Sequence, residues 1–202
     1  MPYAQEHKER TRSRIVECAR RMFNRHGFEA ISIDQIMANA GLTRGGFYHH
    51  FATKEELYSE AIAGYAGCNA SAMDFGAPAG RLVLQMVNAY LSRQHLEDVE
   101  RHCPMIALPS DVARAGPVVR RTYERLLTGM VGLFEAGIEP ADRDARQAAL
   151  AMAALCVGGM VLARTLEDAD LAEEIREAAR ALALDIAGLD GAAPVSAIGS
   201  SD

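Results

Sequence analysis

The stretch from Ser32 to Phe51 limits the choice of fold more than any other part of the chain. Ile33, Ile36, Met37 and Ala40 form a short apolar stripe at helical spacing, Gly41 breaks it, and Thr43 is placed to cap a new segment. Ser32-Ile33-Asp34-Gln35 has the order of a capping box, with Gln three residues after Ser, so the first of these helices has a defined start. Two short helices joined by a Gly-containing turn are the parts of a helix-turn-helix, whose second helix protrudes. Upstream, Ile15, Ala19, Met22, Phe23 and His26 share one face of a helix that Gly27 is placed to end. Downstream, Thr53-Lys54-Glu55-Glu56 is a second capping box, opening a longer helix with Leu57, Ala61, Ile62 and Tyr65 on its apolar face.

The rest of the chain reads as helix throughout, with no sustained period-two alternation that would mark strands. Gly and Pro punctuate it into helices over roughly 78–98, a short segment from Cys103-Pro104 that Pro109 interrupts, and longer helices over 117–137, 140–166 and 169–187. The expectation is an all-α protein of about nine helices: a three-helix head over 1–54, a larger helical body over 55–188, and a frayed tail over 189–202. At 50% hydrophobic and 24% charged, the composition excludes long-range disorder. The longest apolar run, Ala148 to Ala163, has 16 residues, short of the roughly 20 a membrane span needs, and predicts a buried helix. The four cysteines form no CxxC pair and the N-terminus is polar, which predicts reduced thiols and a cytoplasmic location.

Charge divides the chain as well. The net charge of −6 splits into +4 for residues 1–54 (9 Lys+Arg, 5 Asp+Glu) and −10 for residues 55–202 (12 and 22). A basic head on an acidic body points to a small module facing a polyanion; chance clustering on a solvated helix is the plainer alternative.

Within the protruding segment, two adjacent glycines, Gly45 and Gly46, are poor helix residues and make sense where backbone must approach another surface. Arg44 has the fork of donors that suits guanine O6 and N7. Tyr48, His49, His50 and Lys54 are donors suited to phosphate oxygens. Phe47 and Phe51, four residues apart, are placed to face inward.

These residues also carry a resemblance. Ala19, Phe23, Gly27-Phe28, Ser32-Ile33, Ala40-Gly41-Leu42-Thr43, Phe47-Tyr48, His50-Phe51 and Lys54-Glu55-Glu56-Leu57 together resemble the N-terminal domain of the TetR family of bacterial transcription regulators, over residues 15–57. The resemblance implies a helix-turn-helix DNA-binding domain in a homodimer. By position, Arg44, Gly45 and His49 are implied to read bases, and Tyr48, His50, Lys54 and Ser32 to hold phosphates. Thr43, at the mouth of the protruding helix, joins that set, and Lys8, Arg10, Arg12 and Arg14 are placed to follow the adjacent backbone or minor groove. With glycine at both 45 and 46, DNA shape would carry part of the specificity.

For the body, the resemblance implies dimerisation and a small-molecule effector cavity. The helix over 140–166 is apolar on more than one face and carries Ala148, Ala149, Ala153, Ala154, Gly158 and Gly159, which permit close helix approach; it suits a subunit interface or an internal core. Candidate cavity residues are Phe75, Met86, Tyr90, Cys103, Met105, Tyr123, Met130, Phe134, Met152 and Met160, with plain core packing as the alternative, and His95, His102 and Asp111 as polar groups. Cys103, before Pro104 and after Arg101 and His102, sits where a helix N-terminus and cations lower a thiol pKa, so a redox or electrophile switch at Cys103 is a second expectation, against a buried inert thiol. No GxSxG, HExxH, Walker or GxGxxG pattern is present and no metal-ligand spacing is recognisable, so neither enzyme chemistry nor a cofactor is expected. The sequence thus reads as a ligand-responsive, DNA-binding repressor released by a small molecule, or else an all-α interaction protein without DNA affinity.

Overall fold

In the computed structural model, residues 2–70, 74, 76–138 and 144–189 are described. Helix α1 runs from Pro2–His26, α2 from Ile33–Asn39, α3 from Arg44–Phe47 and α4 from Lys54–Ala70. The body follows with α5 (Ala79–Tyr90), α6 (Arg93–Glu97), a 3-10 turn (Val99–Arg101), α7 (Pro104–Ala107), α8 (Pro109–Arg114), α9 (Pro117–Gly137), α10 (Ala145–Thr165) and α11 (Ala169–Ile186). There is no strand among the described residues.

Local chemistry explains where these elements begin and end. Ser32 caps α2: the Gln35 N–H donates to Ser32 Oγ at 3.2 Å, and the Ser32 N–H donates to Gln35 Oε1 at 2.8 Å. Gly41, at φ +66°, ends α2 in the left-handed region; the Leu42 N–H reaches Met37 O and the Gly41 N–H reaches Ala38 O, satisfying carbonyls the helix would leave open. At the start of α4, the Glu56 N–H donates to Thr53 Oγ1, while the Glu56 carboxylate accepts from Ala52, one residue before the expected partner. The helix expected over 78–98 ends at Leu91 because Ser92 caps a fresh start, its Oγ accepting from the His95 N–H at 3.0 Å. That break, with Pro109 separating α7 from α8, raises the count to eleven α-helices among the described residues.

Two apolar cores result. The first joins Ile15, Ala19 and Phe23 of α1, Ile36 and Met37 of α2, Phe47, Phe51, and Leu57, Tyr58 and Ile62 of α4, and takes in Leu108, Val112 and Val119 from the body. The head is therefore closed by α4 and by α8–α9, beyond residue 54. The second core centres on α5, α9, α10 and α11. In it α10 and α11 approach closely at Gly159, where a Cβ would lie 2.7 Å from Ala179 Cβ. Helix α10 has 21 residues, so it is long and apolar enough to cross a membrane by length and composition, which corrects the expectation drawn from the 16-residue run alone. It packs instead against α9 and α11, with Ala149, Met152, Cys156 and Met160 fully buried. Leu189 packs against this core; the rest of the expected tail, 190–202, lies outside the described residues, as does Phe75.

Candidate nucleic-acid interface

The helix-turn-helix presents one side of α3 outward because the other side is fully used. Phe47 is completely buried and Phe51 nearly so, with ring centroids 5.6 Å apart, and Ile36 and Met37 lie in the same core. That packing leaves Thr43, Arg44, Gly45, Tyr48 and His49 exposed, Tyr48 by 58% although it is aromatic. Ser32 is exposed at the N-terminus of α2 beside them. A Cβ at Gly45 would meet nothing within 4 Å, so the bare backbone here serves an open face and not an internal contact. Thr43 stands at the N-cap of α3 but makes no side-chain cap bond.

Three cations singled out in the sequence have internal partners. Arg12 clamps the end of the protruding segment: its guanidinium donates to His50 O and to the Glu60 carboxylate, lies 3.5 Å from Glu56 Oε1, and sits 4.0 Å over the Phe51 ring. It positions α3 against α1 and α4, a correction to its expected role along the DNA. Lys54 donates to Phe28 O at 2.5 Å and lies 4.1 Å from the Phe28 ring centre, and partial burial lowers its pKa. Arg44 Nη1 donates to Asp34 Oδ2 at 2.8 Å on the surface itself. His50 is half-buried, with Nδ1 enclosed and unpartnered, and its pKa is lowered by desolvation and then by nearby Lys8 and Arg12. Lys8 and Arg14 are exposed on α1, and Arg10 pairs with Glu6 one turn away.

The head is fastened to the body at several points that the sequence did not reveal. The Phe28 N–H donates to Asp111 Oδ2 of α8 at 2.9 Å, and Ser59 of α4 and Thr122 of α9 share a hydroxyl–hydroxyl bond of 2.7 Å. Asn24 Nδ2 donates to His102 O at 2.8 Å and Glu100 O at 3.2 Å, in the connection between α6 and α7. Asp111 thus ties the head to the body.

In the body, Tyr90, Cys103, Met105, Met130, Phe134, Met152 and Met160 are buried in the second core, with Met86 and Tyr123 half-buried beside them. Tyr90, His95 and His102 stack edge to face, with centroids 5.2 and 5.5 Å apart. His95 Nδ1 lies 2.7 Å from Tyr90 O and its Nε2 accepts from the Cys103 N–H, which fixes its proton on Nδ1. His102 is fully buried and pushed down to about 4, chiefly by desolvation. His102 Nδ1 is buried without a hydrogen-bond partner, while the buried Tyr90 hydroxyl faces the Cys103 thiol. Cys103 does hold the N-cap position of α7, but burial is complete and pushes its thiol up to about 11. Desolvation outweighs the helix terminus and the neighbouring cation, so the expected low-pKa, accessible thiol is corrected to a buried protonated one. No group of three His, Cys, Asp or Glu able to hold a metal occurs among the described residues.

These features define a helix-turn-helix protein with an all-helical body. Residues 15–61 match the family model of bacterial regulatory proteins, tetR family. It is 42% identical over 57 residues to the Transposon Tn10 TetC protein of Escherichia coli, a match covering 28% of this chain and 29% of that one. It is 29% identical over 157 residues to the HTH-type transcriptional regulator AcrR of Shigella flexneri, covering 70% and 73%. The first curated relatives are thus matched over less than a third of their own length. The whole fold is similar to that of E. coli NemR in its reduced form (TM-score 0.73, 18% identity, 87% and 95% of the two chains) and to that of a Saccharomonospora viridis protein in complex with choline (0.63, 19%, 85% and 94%).

Proposed function

We propose that the chain is a homodimeric, DNA-binding transcription regulator that represses from an operator and is released by a small-molecule effector. The observation that carries this is the one-sided use of α3: Phe47 and Phe51 buried, and Arg44, Gly45, Tyr48 and His49 turned to solvent on the second helix of a helix-turn-helix. In this reading residues 1–54, closed by α4, form the DNA-binding unit, and residues 55–188 serve dimerisation and effector binding. Arg44 and His49 read base edges; Ser32, Thr43, Tyr48, His50 and the partly committed Lys54 contact phosphates. The protein works beside the chromosome, in the cytoplasm.

Dimerisation is supported by apolar side chains left outside the second core: Leu150 and Leu162 on α10 and Leu171 and Leu182 on α11 are each 42–54% exposed. These two helices and their symmetry mates make a four-helix bundle in this reading. Two copies then set their α3 helices to reach major grooves one turn, roughly 34–36 Å, apart. An effector acts by preferring one separation over another, and shifts the equilibrium only by that difference in affinity. The buried, unpartnered His102 Nδ1, next to Cys103 of the apolar second core, supports a neutral, largely apolar effector with one hydrogen-bonding end. The choline complex of the similar fold supports a small molecule in such a body.

A gel shift on the DNA flanking the chain's own gene, titrated with salt, tests the reading. Specific binding is expected to weaken steeply with salt. Absence of any shift at low salt on every flanking fragment would favour an interaction protein without DNA affinity.

A further inference from the structure

We propose that Asp34 is a specificity-determining residue of the DNA interface: from α2 it holds the Arg44 guanidinium toward a base edge and away from phosphate. The inference rests on the DNA-binding reading above. Arg44 and Lys54 are the two Lys or Arg residues between positions 32 and 54, and the Lys54 ammonium is committed to Phe28. The direction of the Arg44 side chain therefore decides whether this face has a charged group to spend on a base.

Arg44 has no help from its own helix. Gly45 and Gly46 follow it, and the space beside Gly45 is open. A long, unsupported arginine settles on the nearest phosphate, a contact blind to sequence. Asp34, ten residues earlier in the first turn of α2, supplies the missing support through Nη1 at 2.8 Å. One N–H of the guanidinium is used; the others remain available, enough for the parallel pair that guanine O6 and N7 accept. The two side chains are 63% and 54% exposed, and a pair this open contributes little to folding. At a DNA surface the same carboxylate repels phosphate, so it lowers affinity for every duplex while penalising the phosphate-bound pose of Arg44.

The test is selection from a random duplex pool with the wild-type chain, followed by anisotropy on the selected duplex, on the same duplex with its preferred G·C pair replaced, and on an unrelated duplex. Asp34→Asn, Arg44→Ala and the double variant are measured alongside. Wild type is expected to discriminate roughly tenfold or more at that pair. Asp34→Asn is expected to lose most of this, to bind unrelated duplex more tightly, and to steepen the log–log salt dependence by about one phosphate contact. In the Arg44→Ala background the same change should leave discrimination where Arg44→Ala put it. Unchanged discrimination in Asp34→Asn, or an equal loss with and without Arg44, overturns the proposal, even if the melting temperature falls. Asp34→Ser serves if the Asn variant misfolds. A wild type that selects no sequence refutes the underlying DNA-binding reading instead.

Discussion

Replacing Asp111 with Ala should loosen the joint between head and body by an amount the structure sets. Asp111 is 17% exposed and its Oδ2 accepts the Phe28 N–H at 2.9 Å, immediately after Gly27 ends α1. A hydrogen bond to a charged acceptor is worth about 1.5–3 kcal/mol, and its loss leaves the Phe28 N–H without this acceptor in a half-buried place. The second contact, Oδ1 to Arg114 at 2.8 Å, involves an arginine that is 69% exposed and adds only ~0–1 kcal/mol. Asp111→Ala is therefore expected to cost about 2–3 kcal/mol. Asp111→Asn, which keeps an acceptor oxygen and the shape, should cost about half of that. The closeness also depends on Gly27: at φ +82° a Cβ there would lie 3.0 Å from Asp111 Oδ2, so Gly27→Ala should destabilise through both strain and the displaced carboxylate. Urea unfolding at fixed protein concentration reads these differences as midpoint shifts at constant slope. An Ala variant within about 0.5 kcal/mol of wild type, the range of an ordinary surface change, would refute the assigned tie.

Other consequences are as direct. Phe47→Ala, which empties a fully buried site beneath α3, should cost about 3–5 kcal/mol in the same assay and abolish DNA binding. Lys54→Ala should lower the salt slope of DNA binding by less than one, because the ammonium is shared between phosphate and its Phe28 contacts; a full unit would show that it leaves Phe28 altogether when DNA binds. Leu150→Glu with Leu162→Glu should yield monomers in sedimentation, and an intact dimer would remove α10 from the interface. His102 is held near 4 in the folded chain against an ordinary 6.5, so the unfolded state binds the extra proton between those values. Its contribution is complete above about 6.5 and lost as pH falls toward 4, on the order of 3 kcal/mol across that window. The stability difference between wild type and His102→Phe should vary over that interval, and a flat difference would contradict the buried neutral imidazole.

What was legible in the sequence was what local rules fix. Ser32 with Gln35, Gly27, Gly41, and the inward pair Phe47 and Phe51 act within a turn or two of chain, and each behaves as its neighbours demand. Ser92, which splits the helix expected over 78–98, was legible in principle, since serine followed three residues later by a helical N–H is a capping signal. The remaining differences come from interactions across long separations. Arg12 meets His50 O 38 residues away, Lys54 meets Phe28 O 26 residues away, and Asn24 meets His102 O 78 residues away. No periodicity announces such partners, so cations that read as free turned out to be clamps. Cys103 shows the same limit: its N-cap position was visible, while the burial that raises its pKa comes from distant chain, with Tyr65 of α4 and Tyr90 of α5 closing over it beside Met105 and Ile106 of α7.

The measurement closest to the central claim is duplex binding by a variant altered only on the outward face of α3. Tyr48→Ala with His49→Ala removes exposed side chains and leaves Phe47 and Phe51 in place. The variant should keep its melting temperature and circular dichroism and bind the selected duplex roughly a hundredfold or more weakly, at about 1–3 kcal/mol for each well-formed hydrogen bond to the duplex that it can no longer make. Wild-type affinity in a correctly folded variant would mean that some other surface meets the DNA, and would contradict the claim.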